Sequence, residues 1–418
     1  MIGQHTKTQN DVHPDAETDT GADTRADTRA DVDVVDFPAR LAGQPFPPRQ
    51  YADLRERGCP VRSHLPNGQP VWLVSGYEDV RTVLTDERIS ANPANPGFPR
   101  VALTGGVPTQ DQIPGWFVGL DPPEHDRYRK VLIPEFSVRR IRGWRPVIQQ
   151  TVDECVTALL EHGGEADLVS AFSVAVPSRI IATILGVPLS DRDFYESRTQ
   201  ILVNLGNSTD EERTEAAQQL LRHIHRLITI KQKWPGDDLI SRILATGVLA
   251  PRELSGVVML LLIAGHETTA NNISLGILTL LRHPEWIGGE GIVDELIRFH
   301  SVADLVAMRT VLEDVDVGGR VLHAGEGIVP LLGSANHDGA VFDDPDRFCP
   351  GRSARGHVGF GYGVHQCLGQ NLVRVEMECV FDTLFARIPT LRLACPPEEV
   401  PYKYDGTVFG VRSLPVAW

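Results

Sequence analysis

One stretch limits the possible architectures more than any other: PRELSGVVMLLLIAGHETTANNISLGILTLLR, residues 251 to 282. Its pattern is helical and almost uniformly apolar, so a folded chain has to surround it on nearly every side. The longest uninterrupted apolar run within it, VVMLLLIAG (257 to 265), stops at nine residues, far short of the roughly 20 that a membrane span needs. The run therefore predicts a long central helix in a protein that does not cross a membrane.

Its surroundings agree with that reading. Helical patterns dominate from about residue 122 to 300, as in IRGWRPVIQQTVDECVTALLEHG, SDRDFYESRTQILVNLG and TDEERTEAAQQLLRHIHRLITIKQKW. GQPVWLVSGY (68 to 77) has the β-branched and aromatic content of a strand, and EDVRTVLTD follows it as a short helix. Past Arg309 come short strands and turns, then a helix again after Cys367. No strand–helix alternation points to a parallel α/β sheet, so the expected class is mostly α with a minor β component. The segment 1–35 is acidic, carries the repeat ADTRADTR (22 to 29) and is expected to be disordered, with 36–418 forming a single large domain. Between Ser90 and Gly119 the chain is rich in Pro and Gly without periodicity, which predicts a lid over a site.

A formal charge of −15 argues against general nucleic-acid binding, because a phosphate backbone would be repelled unless a local basic patch overrode it. The N-terminus, MIGQHTKTQN, lacks the apolar core of a secretory signal, and a cytoplasmic location is expected. Six cysteines are scattered with no C-x-x-C pair, so neither a disulfide framework nor a zinc cage is indicated. Cys367 alone has an unusual context.

That context is GHVGFGYGVHQCLGQNLVRVE, 356 to 376. Read from Phe360, the loop fits F-x-x-G-x-x-x-C-x-G, with Gly361 as an extra glycine and Gly369 after the cysteine. Glycines let backbone lie flat against a planar cofactor and leave amides free to point at a sulfur. The helix that follows presents its positive end to Cys367 and favours the thiolate. A glycine-rich turn with a buried thiol is the plainer reading of such a loop, and a nucleotide loop is a second, although GFGYGVH is not G-x-G-x-x-G. The whole pattern resembles the haem-binding loop of the cytochrome P450 family, in which the cysteine is the iron ligand.

Other segments resemble the same family in chain order. LLLIAGHETTANN (260 to 272) is similar to its oxygen-activation motif: Ala264 and Gly265 would leave a groove for dioxygen, Glu267 would relay protons and Thr268 would hydrogen-bond the bound oxygen. The family pattern more often has Asp than Glu at that acid. DELIRFH (294 to 300) carries an E-x-x-R pair, Glu295 and Arg298. In the family an arginine of a P-x-R-F segment locks the pair, which assigns Arg347 of DDPDRFCPGR to the structural network. His125 and Arg129, Arg309, and His365 match positions that hold the haem propionates, while Phe360, Gly361 and Gly369 shape the cofactor loop.

The resemblance implies a cytochrome P450 fold with the long helix over haem b, and a monooxygenase that uses O2 to hydroxylate a C–H bond. No flavin or iron–sulfur segment is present, so electrons would come from NAD(P)H through a ferredoxin reductase and a small acidic ferredoxin. Arg127, Lys130, Arg139, Arg140 and Arg142 offer a basic docking cluster or an ordinary solvated helix. The pocket is expected from the lid, Leu260, Ile263, Ala264, Leu305, Val306, Val408 and Phe409. These are aliphatic or aromatic, which suits a large neutral molecule such as a polyketide, macrolide, terpenoid or steroid, in an antibiotic-type biosynthesis. A monomer is expected. Epoxidation, phenol coupling and peroxide-driven oxidation are alternatives on the same scaffold, and a non-catalytic haem-fold binder is the rival from another class.

Overall fold

The computed structural model describes residues 34–37, 46–58, 60–100, 111–203, 208–403 and 408–418. Most of the expected disordered tail (1–33), the middle of the expected lid (101–110), Cys59 and residues 404–407 lie outside the described residues. One compact unit spans Val34–Trp418. Val35 bridges Ser63, and its N–H donates to the Arg62 carbonyl at 2.9 Å.

The apolar run forms one helix, Pro251–Arg282. Proline occupies its first position, where an N–H would have no helical partner in any case, and the Glu253 carboxylate accepts the Ala250 N–H at 2.8 Å. At about 1.5 Å per residue the helix is about 48 Å long. It is buried from Leu254 to Leu262 and again from Thr269 to Leu280. Helices Ala175–Leu185, Arg192–Val203, Asp210–Lys233, Ile292–His300 and Gln370–Arg387 all pack along it, which meets the demand its sequence makes. Helix Val138–Leu160 then packs on Gln370–Arg387, so the segment after the cysteine is clamped between two layers of helix.

The β component is small, as the short strand patterns suggested. Its largest sheet has five strands in the order Val61–His64, Pro70–Val74, Gly327–Pro330, Arg309–Val311, Ile89–Ser90. Near the C-terminus Tyr402–Lys403 pairs antiparallel with Gly410–Val411, and this hairpin lies against the central helix. The two flanks of the expected lid are tied together by Asp121, which accepts from the Ser90 hydroxyl and, at 2.9 Å, from the Ala91 N–H.

Candidate active site

From Phe360 to Cys367 the loop closes on itself, with the Cys367 N–H donating to the Phe360 carbonyl at 2.7 Å. Gly361 and Gly363 have φ of 70° and 71°, and a Cβ on Gly363 would press into the Leu84 carbonyl. That backbone is open to glycine and strained for any other residue. Helix Gln370–Arg387 begins directly after, so the amides of Gly369 and Gln370 point at the sulfur. Arg374 of this helix lies 4.7 Å above the Phe360 ring and pairs with Asp294 at 2.8 Å.

Cys367 sits deep in the fold, yet its side chain is only partly covered. A residue lining an internal chamber has that combination. Burial pushes its thiol up, and the Gly369 amide, Arg129, Arg374 and the Gln370 amide oppose the rise. A cation at the sulfur would complete the shift to thiolate.

The four expected propionate partners converge. His125 and Arg129 share one face of helix Glu124–Leu132, Arg309 opens its strand, and the His125 and His365 ring centroids are 4.3 Å apart. Burial, reinforced by Arg309, His125 and Arg129, drives the His365 pKa down to about 2. Burial also lowers Arg309 to about 10, with Asp121 alone opposing it. Asp126 meets His125 at 3.4 Å and acts on Arg129 without pairing with it. Among the described residues no carboxylate forms an ion pair with Arg129 or Arg309. Buried positive charge of this kind is costly unless an anionic group fills the gap.

On the central helix the covered halves are separated by Ile263, Ala264, Gly265, Glu267 and Thr268, none fully buried, with Ala264 exposed. Exposure in the middle of a helix wrapped on every side again marks a chamber. The Thr268 hydroxyl donates to the Ala264 carbonyl at 2.8 Å. Burial raises the Glu267 carboxyl, while Lys403 and Asn271 pull it back.

The pocket residues divide. Leu260, Ile263, Val408 and Phe409 belong to or pack on the main core, whereas Leu305 joins a separate cluster with Tyr51 and Val329, and Val306 is half-exposed. Phe409 is flanked by Phe46 at 4.4 Å and Tyr402 at 5.6 Å, both stacked on it.

The structural network needs one correction. Glu295 and Arg298 are fully buried and joined at 2.8 Å, but the arginine that completes them is Arg352, whose Nε donates to Glu295 at 2.9 Å. Arg347 supplies only its backbone carbonyl, which accepts from Arg352 at 2.5 Å. Chain order could not separate two arginines five positions apart in one loop. Two further residues had no signal in the sequence: Arg374 against Phe360, and Lys403, which reaches Glu267 at 3.3 Å. The C-P-G-R ending of the loop was the one available hint for Arg352.

These residues fit a haem. Among the described residues no cluster of His, Cys, Asp or Glu could hold a metal by itself, so a lone thiolate suits an iron whose other donors come from a porphyrin. The cationic group around His365 suits that cofactor's carboxylates.

The comparisons agree. The family model for cytochrome P450 matches residues 41–228 and 290–416. Pentalenic acid synthase of Streptomyces avermitilis is 43% identical over 384 residues, covering 89% of this chain and 94% of the relative. The crystal structure of cytochrome P450 MoxA from Nonomuraea recticatena superposes with a TM-score of 0.86 at 43% identity, over 92% of this chain and 98% of that one. Mycinamicin VIII C21 methyl hydroxylase from Micromonospora griseorubida, solved with mycinamicin VIII bound, gives 0.83 at 37% identity, over 92% and 100%. The thiol-bearing loop, the cationic cradle and the interrupted burial of the central helix are thus features of an enzyme whose relatives include a named synthase and a named methyl hydroxylase, and the chain belongs to the cytochrome P450 family as a haem-dependent monooxygenase.

Proposed function

We propose that this monooxygenase hydroxylates a C–H bond of a large, neutral, apolar secondary metabolite of the macrolide, terpenoid or steroid-like class. Its electrons come from NAD(P)H through a reductase and a ferredoxin. The observation that carries the reading is the opening in the central helix, where the side chains left uncovered beside Thr268 are Ile263 and Ala264. An apolar wall next to a hydroxyl and a carboxyl suits a substrate bound by shape and desolvation, with few polar contacts. The names of the pentalenic acid and mycinamicin enzymes point to the same breadth of substrates.

Haem, when bound, supplies the activation of dioxygen and the oxidising power; the chain supplies position and protons. Cys367 is the iron ligand, its sulfur charge eased by the amides of Gly369 and Gln370. His125, Arg129, Arg309 and His365 hold the carboxylates of the cofactor, and Phe360, Gly361 and Gly369 shape the loop against it. The Thr268 hydroxyl donates to the Ala264 carbonyl; rotation about its Cβ–Oγ bond would free that hydrogen for a hydrogen bond into the site, while the oxygen can accept one in return. Glu267 is raised by burial and lowered by Lys403 and Asn271. Opposing influences of this kind suit a carboxyl that both takes and releases a proton.

The test is a titration of the holoenzyme with macrolides, terpenoids and steroids while the Soret band is followed. A saturable low-spin to high-spin shift with one scaffold is expected. A normal thiolate spectrum with no shift across the panel would overturn the substrate class.

A further inference from the structure

The Glu267 carboxylate is not held by its own helix alone. Lys403 Nζ donates to Glu267 Oε1 at 3.3 Å and to Asn271 Oδ1 at 3.2 Å, bridging two residues one helical turn apart. Lys403 stands opposite Gly410 in the C-terminal hairpin. A Cβ on Gly410 would run into the amide of Asn271, so the hairpin seats directly on the central helix at the point where Lys403 reaches across. Glycine is required there by close approach. The same hairpin strand is preceded by Val408 and Phe409, and Phe409 is locked by its N–H to the Val302 carbonyl at 2.8 Å and by stacking on Phe46 and Tyr402.

We propose that Lys403 is a positioning residue that tethers Glu267 to the hairpin, so that the charge and orientation of this carboxylate depend on how the hairpin is seated. The inference rests on the reading of Glu267 as the proton relay. It adds a direction of control: a molecule that displaces Val408 or Phe409 moves Lys403, and Glu267 responds.

The electrostatics are consistent with the geometry. Burial favours the neutral carboxyl, and the chief opposing influence is the Lys403 ammonium. Asn271 stands close enough to lower the carboxyl as well, although its amide nitrogen completes no hydrogen bond. His266, next along the helix, is held neutral with a pKa of about 4, first by burial and then by Lys403. From the neighbouring helix Ala175–Leu185, Arg179 bears on Glu196 and Cys155 rather than on Glu267. Losing the tether therefore favours protonation of Glu267.

The experiment is a pH titration of the ferric holoenzyme by infrared spectroscopy, with the protonated carboxyl band of Glu267 assigned by its loss in Glu267→Gln. Lys403→Met is expected to move the midpoint of that band to higher pH, Lys403→Arg to restore it, and Gly410→Ala, which unseats the hairpin without touching a charge, to move it as Lys403→Met does. Where Gly410→Ala does not retain haem, the two lysine variants carry the test. A midpoint in Lys403→Met equal to that of the wild type overturns the tether, as does an equal shift in Lys403→Arg. The relay reading is judged separately, by the solvent isotope effect on NADPH oxidation with a plant-type ferredoxin and its reductase. It is expected to rise in Glu267→Gln, and an unchanged value overturns the relay while leaving the infrared result to decide the tether.

Discussion

Glu295 is a carboxylate with no exposure to water, and its oxygens are fully engaged by Arg298 at 2.8 and 2.9 Å, the Cys349 N–H at 2.9 Å and Arg352 at 2.9 Å. Arg298 also donates to the Asn336 carbonyl at 2.7 Å, and Arg352 to the carbonyls of Asp343, Asp344 and Arg347. Removing one cation leaves a buried charge underpaired, which costs about 3 kcal/mol. Arg352→Leu is therefore expected to lower the urea midpoint sharply and to weaken haem retention, whereas Arg347→Ala, which deletes only a side chain outside the network, shifts stability by about 0.5 kcal/mol. Equal losses would return the role to Arg347. At this scale the legible residues were those whose chemistry is packed into a short motif: Cys367 among glycines, Glu267 and Thr268 in an apolar run, Glu295 and Arg298 three apart. Lys403 is 136 residues from Glu267 in sequence, and a lone lysine in a two-residue strand carries no mark of the carboxylate it will meet.

Elements were legible where one periodicity ran long. Thr209 and Glu212 form the capping box that opens Asp210–Lys233, and the Pro251–Arg282 helix has the limits its sequence suggested. The junctions between elements were not, because they depend on which distant side chain arrives. Asp294 is such a junction: from helix Ile292–His300 it meets His357 of the cysteine loop at 3.5 Å and Arg374 of the following helix at 2.8 Å. The His357 hydrogen bond, aided by Arg374 and opposed by burial, lowers its carboxyl from 3.8 to about 2. The folded state thus binds the proton less readily than the unfolded chain, so the contribution is complete above about pH 5, declines from near pH 4 and is gone below about 2. Because the group is one-third exposed, solvent screening reduces this contribution to about 1 kcal/mol. Asp294→Asn is expected to be less stable than the wild type at pH 7 by that amount, with the gap narrowing in urea titrations at pH 3. A gap that stays constant would place the effect in packing instead of charge.

Over the whole molecule, the formal charge of −15 repels an acidic ferredoxin, so any productive encounter needs a local region of opposite sign. Not all of the basic cluster serves. Arg127 is engaged by Glu253, and Arg140 lies 3.6 Å from Glu135, which also holds Arg242 at 2.8 Å. Among the described residues Lys130, Arg139 and Arg142 are exposed without an ion-pair partner. This basic region is joined to the thiolate side of the fold: Asn371, in the first turn of the helix after Cys367, donates to the Phe136 carbonyl at 2.9 Å, and Arg129, beside Lys130 on helix Glu124–Leu132, bears on the sulfur itself. Reversing the charge at Arg139 and Arg142 is expected to slow reduction by ferredoxin about tenfold at low ionic strength, since complementary charge acts chiefly on the association rate. The deficit should shrink as salt rises, because the Debye length falls from about 10 Å at 0.1 M to about 3 Å at 1 M. Reduction by dithionite, which needs no docking, should keep its wild-type rate, and stopped-flow traces with the two reductants make the comparison. Equal slowing with both would mean that the substitutions disturb the haem environment, and the basic surface would then be no more than a solvated helix.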